Sequence, residues 1–159
     1  MNLALRMLQD RYKQRGFTLI ELVMTMVLIG ILAVVALPRM SDQGAFDARG
    51  FQDETLSLLR YAQKSAIAQR RKVCVAFTSS SATLTITSVA TSSTCDTNLT
   101  GPKGDTPATV TAKSGVSYAS TPSDFNFNGL GRASGTQTIQ VLGLANTITV
   151  EAETGYVHE

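Results

Sequence analysis

Histidine is almost missing from this sequence of 159 residues, with His158 its sole representative. That residue stands next to the C-terminus, so there is no Ser/His/Asp set with a credible base, and no metal-ligand spacing accompanies it. No metal site, cofactor or enzymatic activity is therefore expected. Excess charge is lacking as well: the formal net charge is +2. Residues 1–16 hold Arg6, Arg11, Lys13 and Arg15 against Asp10, a net of +3, so the remainder carries +2 − 3 = −1. A body this close to neutral gives no compositional reason to bind nucleic acid. No internal repeat is evident, and the length allows one modest domain beside any anchor.

Ionisable side chains are scarcest between Phe17 and Leu37, where Glu21 is the only one. That run of about 21 residues covers roughly 31 Å as a helix, enough to cross a bilayer core. A secretory signal would place a small-residue cleavage site after its apolar region. Here Arg15-Gly16 comes before it. A carboxylate near the bilayer centre costs about 2.5–3.5 kcal/mol, so Glu21 needs a cationic partner. The basic segment ahead of the run predicts a cytoplasmic N-terminus and an exported C-terminal part.

The stretch Gly16-Phe17-Thr18-Leu19-Ile20-Glu21, opening an apolar helix, resembles the N-terminus of type IV pilins and pseudopilins. The resemblance implies an α+β type IV pilin fold, with a long N-terminal helix packed on an antiparallel β-sheet domain. Residues 1–16 would be a leader, cut by prepilin peptidase between Gly16 and Phe17, with N-methylation of the new Phe17 terminus. Residues 17–37 would first span the inner membrane and later form the filament core. Glu21 falls at the family's glutamate, which pairs with the terminal amine of a neighbouring subunit. Partners implied are the peptidase, other pilin or pseudopilin subunits, the inner-membrane assembly platform and the lipid bilayer.

Pro38 interrupts the helix and removes a backbone hydrogen bond, and a kink there is familiar in pilins. Residues 38–72 are expected to continue as an amphipathic helix. Phe51, Leu58, Ala62, Ser65 and Ala66 project within a narrow sector at 100° per residue, with Leu59 at its edge and Asp53, Arg60, Lys64 and Arg71 opposite. Arg70, Arg71 and Lys72 would then sit at its C-terminal end, where cations complement the helix dipole. The two helical halves together would make about 56 residues, or roughly 84 Å.

From residue 73 the period changes to two. Val73, Val75 and Phe77, then Leu84 and Ile86, Phe125 and Phe127, Ile139 and Val141, and Ile148 and Val150 alternate with other residues, which predicts half-buried strands in a periplasmic domain over 73–159. Ser79 to Ser81, Asn128-Gly129 and Gly143 to Asn146 suit turns. The stretch 90–114, rich in Thr, Ser, Gly and Pro, reads as a long surface loop. In an oxidising periplasm Cys74 and Cys95 are expected to bond, closing a loop of about 20 residues and adding about 3 kcal/mol. Two buried thiols are the alternative.

Other signals are weaker. Gly129-Leu130-Gly131 lacks the helix and the Lys-Ser/Thr of a phosphate loop and fits a hairpin turn better. Asp96 and Asp105 lie in the 90–114 loop and resemble the calcium sites of some major pseudopilins, but two acids without an ordered ligand series make a weak case. Asn98-Leu99-Thr100 is a sequon that reads as chance.

The succession Leu58 to Ala66, Val73-Cys74-Val75, Phe127 to Gly131 and Thr154-Gly155-Tyr156-Val157 is similar to the GspH/FimT group of minor pilins and type II secretion pseudopilins. The Leu37-Pro38-Arg39 junction is also similar to minor pilins of the mannose-sensitive haemagglutinin class. The resemblance implies a minor subunit that initiates or caps a pilus or pseudopilus, with a major subunit as one alternative. DNA capture, an activity in this group, is another, and Arg60, Lys64, Arg70, Arg71 and Lys72 are its candidate contacts. The group's arginine-rich motif after the final Thr-Gly is replaced here by Tyr156-Val157-His158-Glu159, which argues against nucleic acid.

Overall fold

The computed structural model describes residues 16–36 and 43–159. It divides into two units, one ending at Ser41 and one running from Asp42 to Glu159. The leader ahead of Gly16, and Pro38 with its expected kink, lie outside the described residues.

In the first unit, α1 spans Leu19–Ala36. Its start is set by Thr18, whose hydroxyl accepts the Glu21 N–H at 3.3 Å while its carbonyl takes the Leu22 N–H at 3.1 Å. These are the contacts of an N-cap residue. Every side chain from Phe17 to Ala33 is exposed. Among the described residues no helix is long and apolar enough to cross a membrane; the run expected to do so extends past Ala36.

The second unit opens with α2, Gln43–Gln69. Its buried face consists of Ala48, Phe51, Gln52, Thr55, Leu58, Leu59, Ala62, Ser65 and Ala66, the expected sector with Ala48, Gln52 and Thr55 added. Ala62 and Ala66 are fully buried, and side chains this short let α2 approach β1 (Val73–Phe77). The helix stops at Gln69, three residues before the expected Lys72. Arg70 takes the left-handed conformation, φ 51°. Its N–H bonds the Ile67 carbonyl at 3.3 Å, and the Arg71 N–H bonds the Ala66 carbonyl at 3.2 Å. This is a Schellman closure with arginine where glycine is usual. Arg70, Arg71 and Lys72 thus follow the helix, and no basic residue occupies its last turn.

β1 pairs antiparallel with β2 (Ser81–Ile86) on one side and β5 (Phe125–Phe127) on the other. On the far side of β2 lie two short strands, β3 (Thr97–Asn98) opposite Thr85 and Ile86, and β4 (Thr109–Thr111) opposite Ser81 to Thr83. A second sheet has the order β6 (Gln137–Gln140), β7 (Thr147–Val150), β8 (Val157–His158). The second unit is therefore α+β, one helix with two antiparallel sheets, consistent with the expected fold class.

The stretch 90–114 differs from a plain surface loop. It contributes β3 and β4, and it buries Leu99 and Ala108. The Ala108 N–H bonds the Leu99 carbonyl at 2.7 Å, and the Leu84 N–H bonds the Ala108 carbonyl at 2.9 Å. Backbone pairing to β2 overrides a composition poor in large apolar groups.

Inside, Phe51, Tyr118, Phe77, Phe125 and Phe127 form a chain of rings with successive centroids 4.8–6.2 Å apart. The Thr55 hydroxyl donates to the Phe51 carbonyl at 2.8 Å, leaving its oxygen to accept from the Tyr118 hydroxyl at 3.1 Å. Burial pushes the Tyr118 hydroxyl up to about 12, against the opposing effect of the bond to Thr55.

Candidate processing and assembly site

Gly16 and Phe17 precede the helix, because Thr18 caps it and the backbone before the cap is not helical. A Cβ built on Gly16 meets nothing within 4 Å. Nothing among the described residues therefore demands glycine here. Phe17 is 76% exposed. Gly16, Phe17, Thr18 and Glu21 line one open cavity.

Glu21 occupies the third helical position, where the partial positive charge of a helix N-terminus favours a carboxylate. It has no ion pair among the described residues. Its neighbours on the helix are apolar and exposed.

The five candidate nucleic-acid contacts do not form one array of free cations. Arg60 donates through Nε to the Val157 carbonyl at 3.1 Å, tying α2 to β8, and Lys72 Nζ donates to the Ser93 carbonyl at 2.9 Å. Lys64 and Arg70 are exposed, and Arg71 is half-buried.

Cys74 and Cys95 are bonded, with their Cα atoms 6.2 Å apart. The bond joins β1 to the chain leading into β3. The same segment is held by Asp96, whose carboxylate accepts the Ser88 N–H at 2.7 Å and hydroxyl at 2.8 Å. Those donors hold the Asp96 carboxyl below its ordinary value. Asp105 accepts the Thr109 N–H at 3.1 Å. Among the described residues no group of three or more His, Cys, Asp or Glu is placed to hold a metal.

Sequence reasoning missed Gln63. Its Nε2 donates to the carbonyls of Gly131, at 3.2 Å, and Thr154, at 3.0 Å, joining both turns to α2. The glycines around those turns were the available signal, since Gly131 and Gly155 both have positive φ.

The capped apolar helix, with one carboxylate just beyond a Gly-Phe step, lies in the stretch where comparison with known proteins finds likeness. The prokaryotic N-terminal methylation motif matches residues 11–37. Over 56 residues, 35% of this chain and 32% of the relative, the sequence is 46% identical to the type IV major pilin protein PilE1 of Neisseria gonorrhoeae. It is 59% identical over 34 residues, 21% of each chain, to the fimbrial protein EcpB of Eikenella corrodens. It is 38% identical over 60 residues, 38% of this chain and 39% of the relative, to a fimbrial protein of Pseudomonas aeruginosa. The chain thus spans about a third of the length of the first of these curated relatives. No solved structure matches it.

Proposed function

We propose that the chain is a minor type IV pilin or type II secretion pseudopilin, a structural subunit that helps start or cap a filament. Prepilin peptidase removes residues 1–16, and the exposed Phe17 amine is methylated. Residues 17–37 hold the subunit in the inner membrane, with 38–72 and the β domain of 73–159 in the periplasm, until the assembly platform draws it into the filament. The observation that carries this reading is Glu21, an ionisable group on an apolar helix whose side chains are exposed from Leu19 to Ala33, four residues from the Phe17 terminus that processing would create. A carboxylate and an amine of neighbouring subunits, both excluded from water, stabilise each other where either alone would be costly.

Processing is tested by replacing Gly16 with valine in cells that express the peptidase. Mass spectrometry should find the leader still attached; a mature Phe17 terminus on that variant would overturn the assignment. A major-subunit reading has one observation in its favour, the name of the N. gonorrhoeae relative. Abundance in sheared filaments separates the two: a minor subunit is present at a small fraction of the main component.

A further inference from the structure

We propose that Asn128 is a latent modification site, an Asn-Gly step whose conversion to aspartate or isoaspartate is restrained by the junction between α2 and the turn at 128–132. Asn128-Gly129 is the sole Asn-Gly pair in the sequence. Glycine offers no side chain to hinder its own amide nitrogen, so this is where an asparagine is most readily attacked from within the chain. The Gly129 nitrogen, having lost its proton, bonds to Asn128 Cγ. The Cγ–Nδ2 bond breaks, and Nδ2 leaves as ammonia. The resulting five-membered imide then takes up one water at either carbonyl. Opening on one side gives aspartate, and opening on the other gives isoaspartate. One water is consumed and one ammonia released, with no oxidant or other co-reactant.

The folded turn works against the first step. Asn128 Oδ1 accepts the N–H groups of Leu130, at 2.9 Å, and Arg132, at 3.1 Å. The Asn128 main chain is held as well, its N–H on the Arg132 carbonyl at 2.9 Å and its carbonyl on the Gly131 N–H at 2.8 Å. Swinging Cγ onto Gly129 gives up the two bonds to Oδ1. Gly129 is itself closely packed. A Cβ placed on it would lie 2.9–3.2 Å from the backbone of Arg70, the left-handed residue that closes α2. Gln63 holds the other end of the turn through the Gly131 carbonyl. Ring closure is thus coupled to release of the turn from α2.

The two products differ in consequence. Aspartate keeps both acceptor bonds to Leu130 and Arg132. Isoaspartate inserts a methylene into the main chain and withdraws the acceptor, so the turn cannot close again on Arg70. A subunit that has once opened in this way is marked permanently at the end of α2.

The test follows conversion at Asn128 by peptide mapping and mass spectrometry in the full chain. Samples are held in detergent at mildly alkaline pH, folded or in urea. Conversion should be at least about tenfold slower in the folded chain than in urea, as expected for a reaction that must await local opening. Gln63→Ala, checked for retained fold by circular dichroism, should move the folded rate toward the urea rate. Asn98, Asn126 and Asn146, followed by larger residues, should convert slowly in every sample. Equal folded and urea rates for the wild-type chain would overturn the proposal, as would a folded Gln63→Ala chain converting at the wild-type rate. Where Gln63→Ala does not fold, the wild-type ratio decides alone.

Discussion

The two helices among the described residues differ in what they bury. α2 has a divided surface: nine residues buried on one face, with Asp53, Arg60 and Lys64 in water on the other. α1 has no such division. Its described side chains are exposed on every side and, apart from Thr25 and Glu21, are apolar or glycine. A helix that finds its partner within its own domain needs only a stripe, whereas one that is apolar all round must be covered by lipid or by other chains. The difference locates the unfinished part of the molecule. α2 explains why the second unit holds together, and α1 states what the subunit still requires.

The largest effect expected from breaking this contrast is at Glu21. Glu21→Leu should abolish incorporation into filaments and leave membrane insertion intact or slightly improved, because it removes a carboxylate costing about 2.5–3.5 kcal/mol at depth. Shearing and immunoblotting read the first outcome, and alkaline extraction of membranes the second. Normal incorporation of the variant would remove the role assigned to Glu21.

On α2 the corresponding experiment acts on stability alone. Leu59 is fully buried, so Leu59→Ala should destabilise the second unit by about 2–5 kcal/mol through lost burial and the cavity left behind. Chemical denaturation measures this. Leader cleavage should be unchanged, since Gly16 and Phe17 belong to the other unit. A defect in cleavage would mean that the two helices are less independent than their surfaces imply. Next in size is the Cys74–Cys95 bond: Cys74→Ser with Cys95→Ser should cost about 3 kcal/mol, with a matching fall in the denaturation midpoint. The Ser88–Asp96 and Lys72–Ser93 hydrogen bonds remain to hold the same segment.

Some of this was legible in the sequence, for physical reasons. The periods of 3.6 and 2 announced the buried face of α2 and the strands β1, β2, β5, β6 and β7, because burial on one side imposes those spacings. The Gly16-to-Glu21 segment stood out because a lone acid in an apolar run fits a plain signal anchor poorly, and the N-terminal methylation motif matches over residues 11–37. β3, β4 and β8 were not visible. Two or three residues cannot display a period, and they are strands only because β2 and β7 offer them an edge. The end of α2 was misread because the three cations at 70–72 matched the helix dipole, while the backbone of the left-handed Arg70 is approached closely by Gly129, 59 positions away. Gln63 was overlooked for the same reason, since its partners lie 68 and 91 positions further on.

The smallest effect predicted concerns one hydroxyl and separates the α2 core from everything outside it. Tyr118 sits between Phe51 and Phe77 with its hydroxyl on Thr55. Burial raises its pKa from the ordinary 10.0 to about 12. The neutral form is therefore favoured more strongly in the folded chain than in the unfolded one. That contribution is complete below about pH 10 and disappears as the pH climbs from there toward about 12, the unfolded chain being the first to ionise. Its full size is on the order of 2–3 kcal/mol. Tyr118→Phe keeps the ring and removes the titrating group, at a neutral-pH cost of about 1 kcal/mol for the bond to Thr55. In denaturation measured across the alkaline range, the wild-type curve should start about 1 kcal/mol above that of the variant, cross it and end below it. Parallel curves would show that the hydroxyl reaches water in the folded state, and that the face α2 buries is looser than its aromatic packing indicates.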